Sequence, residues 1–106
     1  MKQLLIRADD LGFSEAVNYG IEKTVKEGLI RSVGIMTNMP AASHGVRLLD
    51  GCDVCYGQHT NICAGFPLSD PAVIPSLVQE NGEFRTSSEY RKAYKEGRDF
   101  VVLDEV

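Results

Sequence analysis

The chain has 106 residues, of which 43% are hydrophobic and 25% are charged, and its formal net charge is −4. This composition is typical of one folded domain and excludes a disordered chain. No basic block is present, and no apolar run approaches the ~20 residues of a membrane-spanning helix, so we expect neither nucleic acid nor a membrane as a partner.

The first third of the chain predicts a strand followed by a helix. Residues 4–8 form an apolar run ending in Asp9-Asp10 and indicate a buried parallel strand. Ser14 is a suitable N-cap for the helix that follows, and Glu22 and Lys26 have the spacing of an ion pair. The apolar positions of this helix recur at helical spacing: Val17, Ile21, Thr24, Val25 and Gly28.

The pattern repeats once more. Residues 32–38 predict a second strand, Pro40 can begin a second helix, and residues 53–59 predict a third strand. The order β-α-β-α-β, with crossovers about one helix long, indicates an α/β fold with a parallel sheet and right-handed connections.

The remaining residues predict less regular structure. Residues 60–76 contain three prolines and indicate a long ordered loop. Asn81-Gly82 predicts a hairpin turn, and Thr86 with Glu89 matches a capping box before a helix that extends to about Gly97. Residues 100–103 have the pattern of a strand. Because no linker interrupts the chain, residues 1–106 are interpreted as a single domain.

Each of the three predicted strands ends in polar residues. The first ends in Asp9-Asp10, the second in Thr37-Asn38, and the third in His59-Thr60-Asn61. The carboxyl ends of parallel strands share one edge of the sheet, where α/β proteins place their sites. Adjacent carboxylates beside an imidazole favour a divalent metal such as Zn²⁺, Mn²⁺ or Mg²⁺. Because consecutive residues point to opposite sides, one acid is expected to bind metal and the other to accept a proton.

The other histidine and the cysteines are interpreted as structural. His44 is expected to be solvated on a surface helix. Cys52 and Cys55 have C-x-x-C spacing without a second pair, so a zinc ribbon is not expected. Cys55 is expected in the core, and Cys63 is expected either to be buried or to be a reactive thiol near the proposed site, with burial favoured. An odd number of cysteines, and no secretory signal at the N-terminus, favour a reducing cytoplasmic location.

Several ordered segments resemble the YdjC-like carbohydrate deacetylases, also called the ChbG/HpnK family. The matching segments are Arg7-Ala8-Asp9-Asp10-Leu11-Gly12, Val17-Asn18-Tyr19-Gly20-Ile21, Ser32-Val33-Gly34-Ile35-Met36-Thr37-Asn38-Met39-Pro40, Gly57-Gln58-His59-Thr60-Asn61 and Asn81-Gly82-Glu83-Phe84. The resemblance implies a partial (β/α) barrel of the glycoside hydrolase/deacetylase type and a metal-dependent hydrolase that removes N-acetyl groups from amino sugars such as chitooligosaccharides.

Roles for individual residues come from the same resemblance. Asp10 and His59 match the metal ligands, with Mg²⁺ or Zn²⁺ as the expected ion. Asp9 matches the catalytic carboxylate and is the expected general base. Asn38 and Asn61 are expected to contact the carbohydrate substrate or the metal ligands.

The length of the chain sets a further expectation. A closed (β/α) barrel needs roughly 200 residues or more, and members of the family are more than twice as long as this chain. We therefore expect the N-terminal portion of a deacetylase barrel: a fragment, a truncated product, or a half-barrel that a second copy completes. The resemblance also implies a helix that begins near Asp104, which we favour over the strand pattern at residues 100–103.

Two other functions fit parts of the sequence. A receiver-type signalling domain also binds Mg²⁺ at an acidic pair after its first strand, but it needs a phosphorylatable aspartate where this chain has His59. A non-catalytic half-barrel could bind a sugar or a partner subunit through Asn38, Asn61 and the proline-rich loop.

Overall fold

The computed structural model describes residues 1–106, which form two compact units, residues 1–60 and residues 61–106. The elements of the first unit are β1 (Arg7–Leu11), α1 (Glu15–Lys26), β2 (Ser32–Ile35), α2 (Ala42–Leu48) and β3 (Cys55–Gln58). Those of the second are α3 (Ser87–Lys95) and single 3₁₀ turns at Pro71–Val73 and Leu103–Glu105. That residues 1–106 act as a single domain stays a prediction.

The three strands form one parallel sheet in the order β1-β2-β3. The ladder continues past the strand ends, because Leu11 O accepts the Met36 N–H and Ile35 O accepts the His59 N–H, each at 2.8 Å. The predicted α/β class with parallel strands is therefore confirmed. The sheet is open, so a barrel is not shown.

The core of the first unit lies between the sheet and the two helices. Its buried members are Ala8, Leu11, Ile21, Val25, Val33 and Leu49. Local signals in the sequence place α1 as predicted: the Ser14 side chain accepts the Val17 N–H at 3.2 Å, and Lys26 contacts Glu22 at 2.7 Å. The helix therefore begins at its cap and turns its apolar stripe toward the strands.

The predicted strand boundaries are wrong in detail. Leu4 and Leu5 are 84% and 76% exposed, and β1 begins at Arg7 because Arg7 is the first residue with a partner in β2. It then continues through both aspartates and ends at Leu11, one residue beyond the predicted end. β2 and β3 are also shorter than predicted, and Cys55 is exposed on β3 rather than buried in the core.

The second unit has its own small core, formed by Ile74, Leu77, Val78 and Phe84. The hairpin turn at Asn81-Gly82 is confirmed: Gly82 has φ +85° and a β-bridge joins Val78 to Phe84. The capping box is confirmed too, since Thr86 and Glu89 exchange both of its hydrogen bonds. α3 ends at Lys95, two residues before Gly97.

The predicted strand at residues 100–103 is wrong. The Val102 N–H donates to the Ser76 hydroxyl at 3.0 Å, and the Glu105 carboxylate accepts hydrogen bonds from the backbone and hydroxyl of Ser76. These contacts favour the 3₁₀ turn at Leu103–Glu105, in line with the helical start that the family resemblance implies. None of the helices is long and apolar enough to cross a membrane.

Candidate metal and catalytic site

A bulge in β1 places the two adjacent aspartates. Ala8 pairs with Val33 and Leu11 pairs with Ile35, so Asp9 and Asp10 together lie opposite the single residue Gly34. Such bulges change the direction in which side chains point and often occur beside functional sites. Asp10 has φ +68°, and its carbonyl accepts the Phe13 N–H at 3.0 Å. The chain therefore begins to turn at Asp10 and leaves the sheet after Leu11.

Asp10 and His59 meet at the carboxyl edge of the sheet. Asp10 Oδ1 lies 3.1 Å from His59 Nε2, and the two side chains are 53% and 34% exposed. Because β2 lies between β1 and β3, the two backbones are about 10 Å apart, twice the usual strand spacing, and the side chains bridge that gap. The structure thus brings together the two residues that the sequence places at one edge.

This pair of atoms fits a shared divalent ion. Two ligands that each lie about 2.1 Å from one octahedral ion, at an angle of about 90°, are about 3.0 Å apart, close to the 3.1 Å separation of Asp10 Oδ1 and His59 Nε2. A carboxylate oxygen and an imidazole nitrogen are donors that suit zinc and manganese. No group of three or more His, Cys, Asp or Glu side chains is arranged to hold a metal, so the chain itself offers two donors.

Asp9 has a different partner from Asp10. Its Oδ1 lies 2.6 Å from Arg7 Nε, and both side chains are about half exposed. Gly34 on β2 leaves room for this pair: a Cβ there would overlap the Arg7 guanidinium and would lie 2.9 Å from Asp9 Oδ1. The two acids therefore have different partners, Arg7 for Asp9 and His59 for Asp10. The expected division between metal ligand and proton acceptor stays a prediction.

Asn38 and Asn61, the two expected substrate contacts, lie in different units and have different hydrogen-bond partners. Asn38 lies in the turn that follows β2, partly buried, with its amide 3.8 Å from Met39 Sδ. Asn61 belongs to the second unit, where its side chain accepts the Cys63 N–H at 3.1 Å and donates to Ala64 O at 2.8 Å. Asn61 thus shapes its own loop, and a substrate contact by either residue stays a prediction.

Sequence reasoning gave no structural role to Asn18 and set His44 aside. Asn18 is completely buried and hydrogen-bonds to Gly12, Ala41 and His44. His44 is only partly exposed and packs edge-on against Tyr19, with ring centroids 5.2 Å apart, so the expectation of a solvated side chain is wrong. The sequence contains one signal that could have identified Asn18. Asn18 lies three residues before Ile21 and therefore on the same buried face of α1, where a polar residue is unusual.

The cysteines take no part in this site. All three are free thiols, and no C-x-x-C metal site forms. Cys63 is exposed rather than buried, and its backbone N–H donates to the Asn61 side chain.

Comparison with known proteins identifies relatives. The family described as YdjC-like protein matches residues 3–106. A carbohydrate deacetylase of Thermoanaerobacter pseudethanolicus is 41% identical over 86 residues, which cover 80% of this chain and 34% of that protein. A carbohydrate deacetylase of Geobacillus stearothermophilus is 46% identical over 81 residues, which cover 76% of this chain and 32% of the relative. The chain thus spans about a third of the length of these curated relatives.

A solved structure has the same fold over nearly all of the chain. It is a protein from Enterococcus faecalis named for cellobiose-phosphate cleavage, with a TM-score of 0.81 and 26% identity, covering 95% of this chain and 38% of that one. The residues matched by the family include the positions of Asp9, Asp10 and His59. The chain belongs to the YdjC-like protein family.

Proposed function

We propose that this chain carries the metal ligands and the general base of a carbohydrate deacetylase, a hydrolase that removes the acetyl group from an N-acetylated amino sugar of the chitooligosaccharide type. The observation that carries the proposal is the 3.1 Å contact between Asp10 Oδ1 and His59 Nε2 at the carboxyl edge of a parallel sheet. The relatives named carbohydrate deacetylase support the reaction class.

Asp10 and His59 would hold a divalent ion, Mg²⁺ or Zn²⁺. When bound, such an ion polarises an amide carbonyl and makes water a stronger nucleophile. Asp9 accepts the proton of the attacking water through Oδ2, because Arg7 occupies Oδ1. The water oxygen adds to the acetyl carbon, the C–N bond breaks, and the proton passes to the departing nitrogen. The products are acetate and a free amino sugar.

Asn38 and Asn61 are the proposed substrate contacts. A side-chain amide both donates and accepts hydrogen bonds, which suits the hydroxyl groups of a sugar. Asn38 follows β2 directly, and Asn61 follows His59 by two residues in the sequence. We propose that these amides orient the sugar while Asp9 acts on water.

We also propose that groups outside residues 1–106 complete the metal site. Catalytic zinc sites usually have three protein ligands, and this chain offers two. β3 is an exposed edge strand, which can pair with a further strand. Further ligands and strands would come from the remainder of a longer protein or from a second copy of the chain. We propose a cytoplasmic location, because three cysteines are an odd number and do not indicate a disulfide framework.

Calorimetric titration with Zn²⁺, Mn²⁺ and Mg²⁺ tests the metal site. We expect the wild-type chain to bind one ion more weakly than micromolar, since two protein ligands are fewer than the usual three. D10N and H59Q should each weaken binding by about 100-fold or more, because loss of a residue that merely supports a ligand already costs 10–100-fold. The control D9N should bind like wild type. Equal affinity in all four proteins would refute the site.

A chimera tests the reaction. Residues 1–106 replace the matching third of the Thermoanaerobacter carbohydrate deacetylase, and acetate release from an N-acetylated chitooligosaccharide is measured. D9N should lower kcat by about 10²–10⁴-fold, the usual contribution of a general base, while metal affinity is retained. G57A is the control, because a Cβ at Gly57 meets nothing within 4 Å. Full activity of D9N would assign the base to another residue.

A further inference from the structure

Asn18 is the polar residue most completely enclosed by the fold. It lies four residues into α1, and none of its surface is exposed to solvent. A buried amide destabilises a fold unless every polar atom finds a partner. A buried stripe of α1 is otherwise formed by apolar residues, Ile21 and Val25. An asparagine at this position therefore needs a specific explanation.

The hydrogen bonds of Asn18 fix its amide in one orientation. Its Oδ1 accepts the Gly12 N–H at 2.7 Å, and its Nδ2 donates to Ala41 O at 2.9 Å. Rotating the amide by 180° would place Nδ2 against the Gly12 N–H and Oδ1 against Ala41 O, so both hydrogen bonds would be lost. Nδ2 also lies 3.1 Å from His44 Nδ1, which therefore acts as an acceptor. Asn18 thus ties the loop after β1 to the residue that precedes α2.

That loop begins at Gly12, two residues after Asp10. Asp10 has φ +68°, a conformation that residues with a side chain rarely adopt, and Gly12 has φ +102°. A Cβ at Gly12 would lie 2.8 Å from Ala42 Cα, so the loop packs closely against the first residue of α2. Unusual backbone conformations persist only where the surrounding contacts fix them. The hydrogen bond from Gly12 to Asn18 is such a contact, two residues from Asp10.

We propose that Asn18 is a positioning residue for Asp10. By holding Gly12 against the start of α2, Asn18 keeps the left-handed backbone of Asp10 that presents Oδ1 to His59 Nε2. The functional meaning of this inference rests on the proposed metal site, but the Asp10–His59 contact can be measured without metal. Loss of the Asn18 amide frees Gly12, lets Asp10 relax to negative φ, and separates Asp10 from His59.

NMR of the histidine side chains at one fixed pH tests the inference in the metal-free chain. H59Q assigns the two imidazoles, and D10N gives the position of the His59 signal when the pair is broken. In N18A, we expect the His59 signal to move most of the way to its D10N position. The matched control is V25A, which removes a buried side chain of the same helix, 4% exposed, without touching Gly12.

A merely structural role for Asn18 would not move the His59 signal. V25A should lower Tm and leave that signal at its wild-type position. A folded N18A with the wild-type His59 signal would overturn the inference. If N18A does not fold, N18L replaces it: leucine has nearly the shape of asparagine but offers no acceptor to the Gly12 N–H. An unchanged His59 signal in N18L would equally overturn the inference.

Titration with Zn²⁺ separates this inference from the proposed function. We expect N18A to bind Zn²⁺ about ten-fold more weakly than wild type, the lower end of the effect of residues that orient metal ligands. If wild type binds no Zn²⁺ but N18A still shifts the His59 signal, the positioning role stands and the metal site fails. If N18A retains both the wild-type signal and the wild-type affinity, the metal site stands and the positioning role fails.

Discussion

The two units of the chain are built by different means. Residues 1–60 depend on a parallel sheet whose partners are far apart in the sequence, such as Arg7 with Ser32 and Ser32 with Cys55. Residues 61–106 have one isolated β-bridge, around Gly82, and are otherwise held largely by side-chain hydrogen bonds: an Asx turn at Asn61, the capping box of α3, and the bonds from Ser76 to Glu105. Only the first kind of structure brings residues as distant as Asp10 and His59 into contact.

The parallel sheet determines where a site can form, whereas short-range turns determine only the shape of individual loops. Parallel strands place their carboxyl ends at one edge whatever loops follow, so the edge can collect chemically useful side chains. Short-range turns fix the shape of a loop but do not bring distant residues together. We therefore expect substitutions in the first unit to affect the candidate site and substitutions in the second to act on local stability. Three substitutions test this contrast.

The largest expected effect is from L11A. Leu11 is completely buried beside Asp10, and loss of a buried leucine side chain costs about 3 kcal/mol of the free energy of unfolding. Urea denaturation should show a lower midpoint with an unchanged slope. L29A is the matched control, since Leu29 is 81% exposed and its replacement should stay within about 0.5 kcal/mol of wild type. Similar effects of the two variants would contradict the core as described.

T86A should have an intermediate effect, confined to α3. Loss of an N-cap hydroxyl costs about 1 kcal/mol, whereas S87A, one residue later and without a capping bond, should cost less. Amide hydrogen exchange across α3 measures both. If the α3 amides of T86A were as well protected from hydrogen exchange as those of wild type, the capping box would not be what stabilises the helix.

The same capping box predicts a dependence on pH. Hydrogen bonds from the Thr86 backbone N–H and then from its hydroxyl lower the pKa of the Glu89 carboxyl below its ordinary value of 4.5. A lowered pKa stabilises the fold above that ordinary value, and the stabilisation is lost as the pH falls through the lower, folded value. Protection of α3 should therefore decline below about pH 4.5. E89Q should remove this decline, and an equal decline in E89Q would contradict the assignment.

G34A should have the smallest effect on stability and a local effect on the site. A Cβ at Gly34 would displace the ends of the Arg7 and Asp9 side chains, which are free to move, so the free energy of unfolding should change by less than about 0.5 kcal/mol. The NMR signal of Arg7 Nε–H should shift, reporting loss of its contact with Asp9. G57A is the control, because Gly57 pairs directly with Gly34 in the sheet and has open space. Equal shifts in both would contradict the proposed contact.

The sequence predicts those features that depend on local chemistry or on a general rule of topology. Ser14 and Thr86 cap their helices because the cap and the amide it accepts are close in sequence. The approach of Asp10 to His59 follows from the parallel order of the strands. The apolar run at residues 4–6 was misleading, since apolar character alone does not supply a neighbouring strand.

The contacts of Asn18 could not be predicted from local sequence patterns or from the order of the strands. They join Gly12, Ala41 and His44, three residues whose proximity arises only when β1, α1 and α2 pack together. The bulge at Asp9 and Asp10 is similar, because it depends on which residue of β2 each one faces. Hydrophobic periodicity predicts elements and faces, whereas these features depend on register and on side-chain geometry.

The central claim is that Asp10 and His59 bind one divalent ion. The most direct measurement is an anomalous difference map from crystals of the chain grown with Zn²⁺. The account predicts a single peak about 2.1 Å from both Asp10 Oδ1 and His59 Nε2, and its absence in D10N. A peak elsewhere, or an intact Asp10–His59 contact with no peak beside it in saturating Zn²⁺, would contradict the claim.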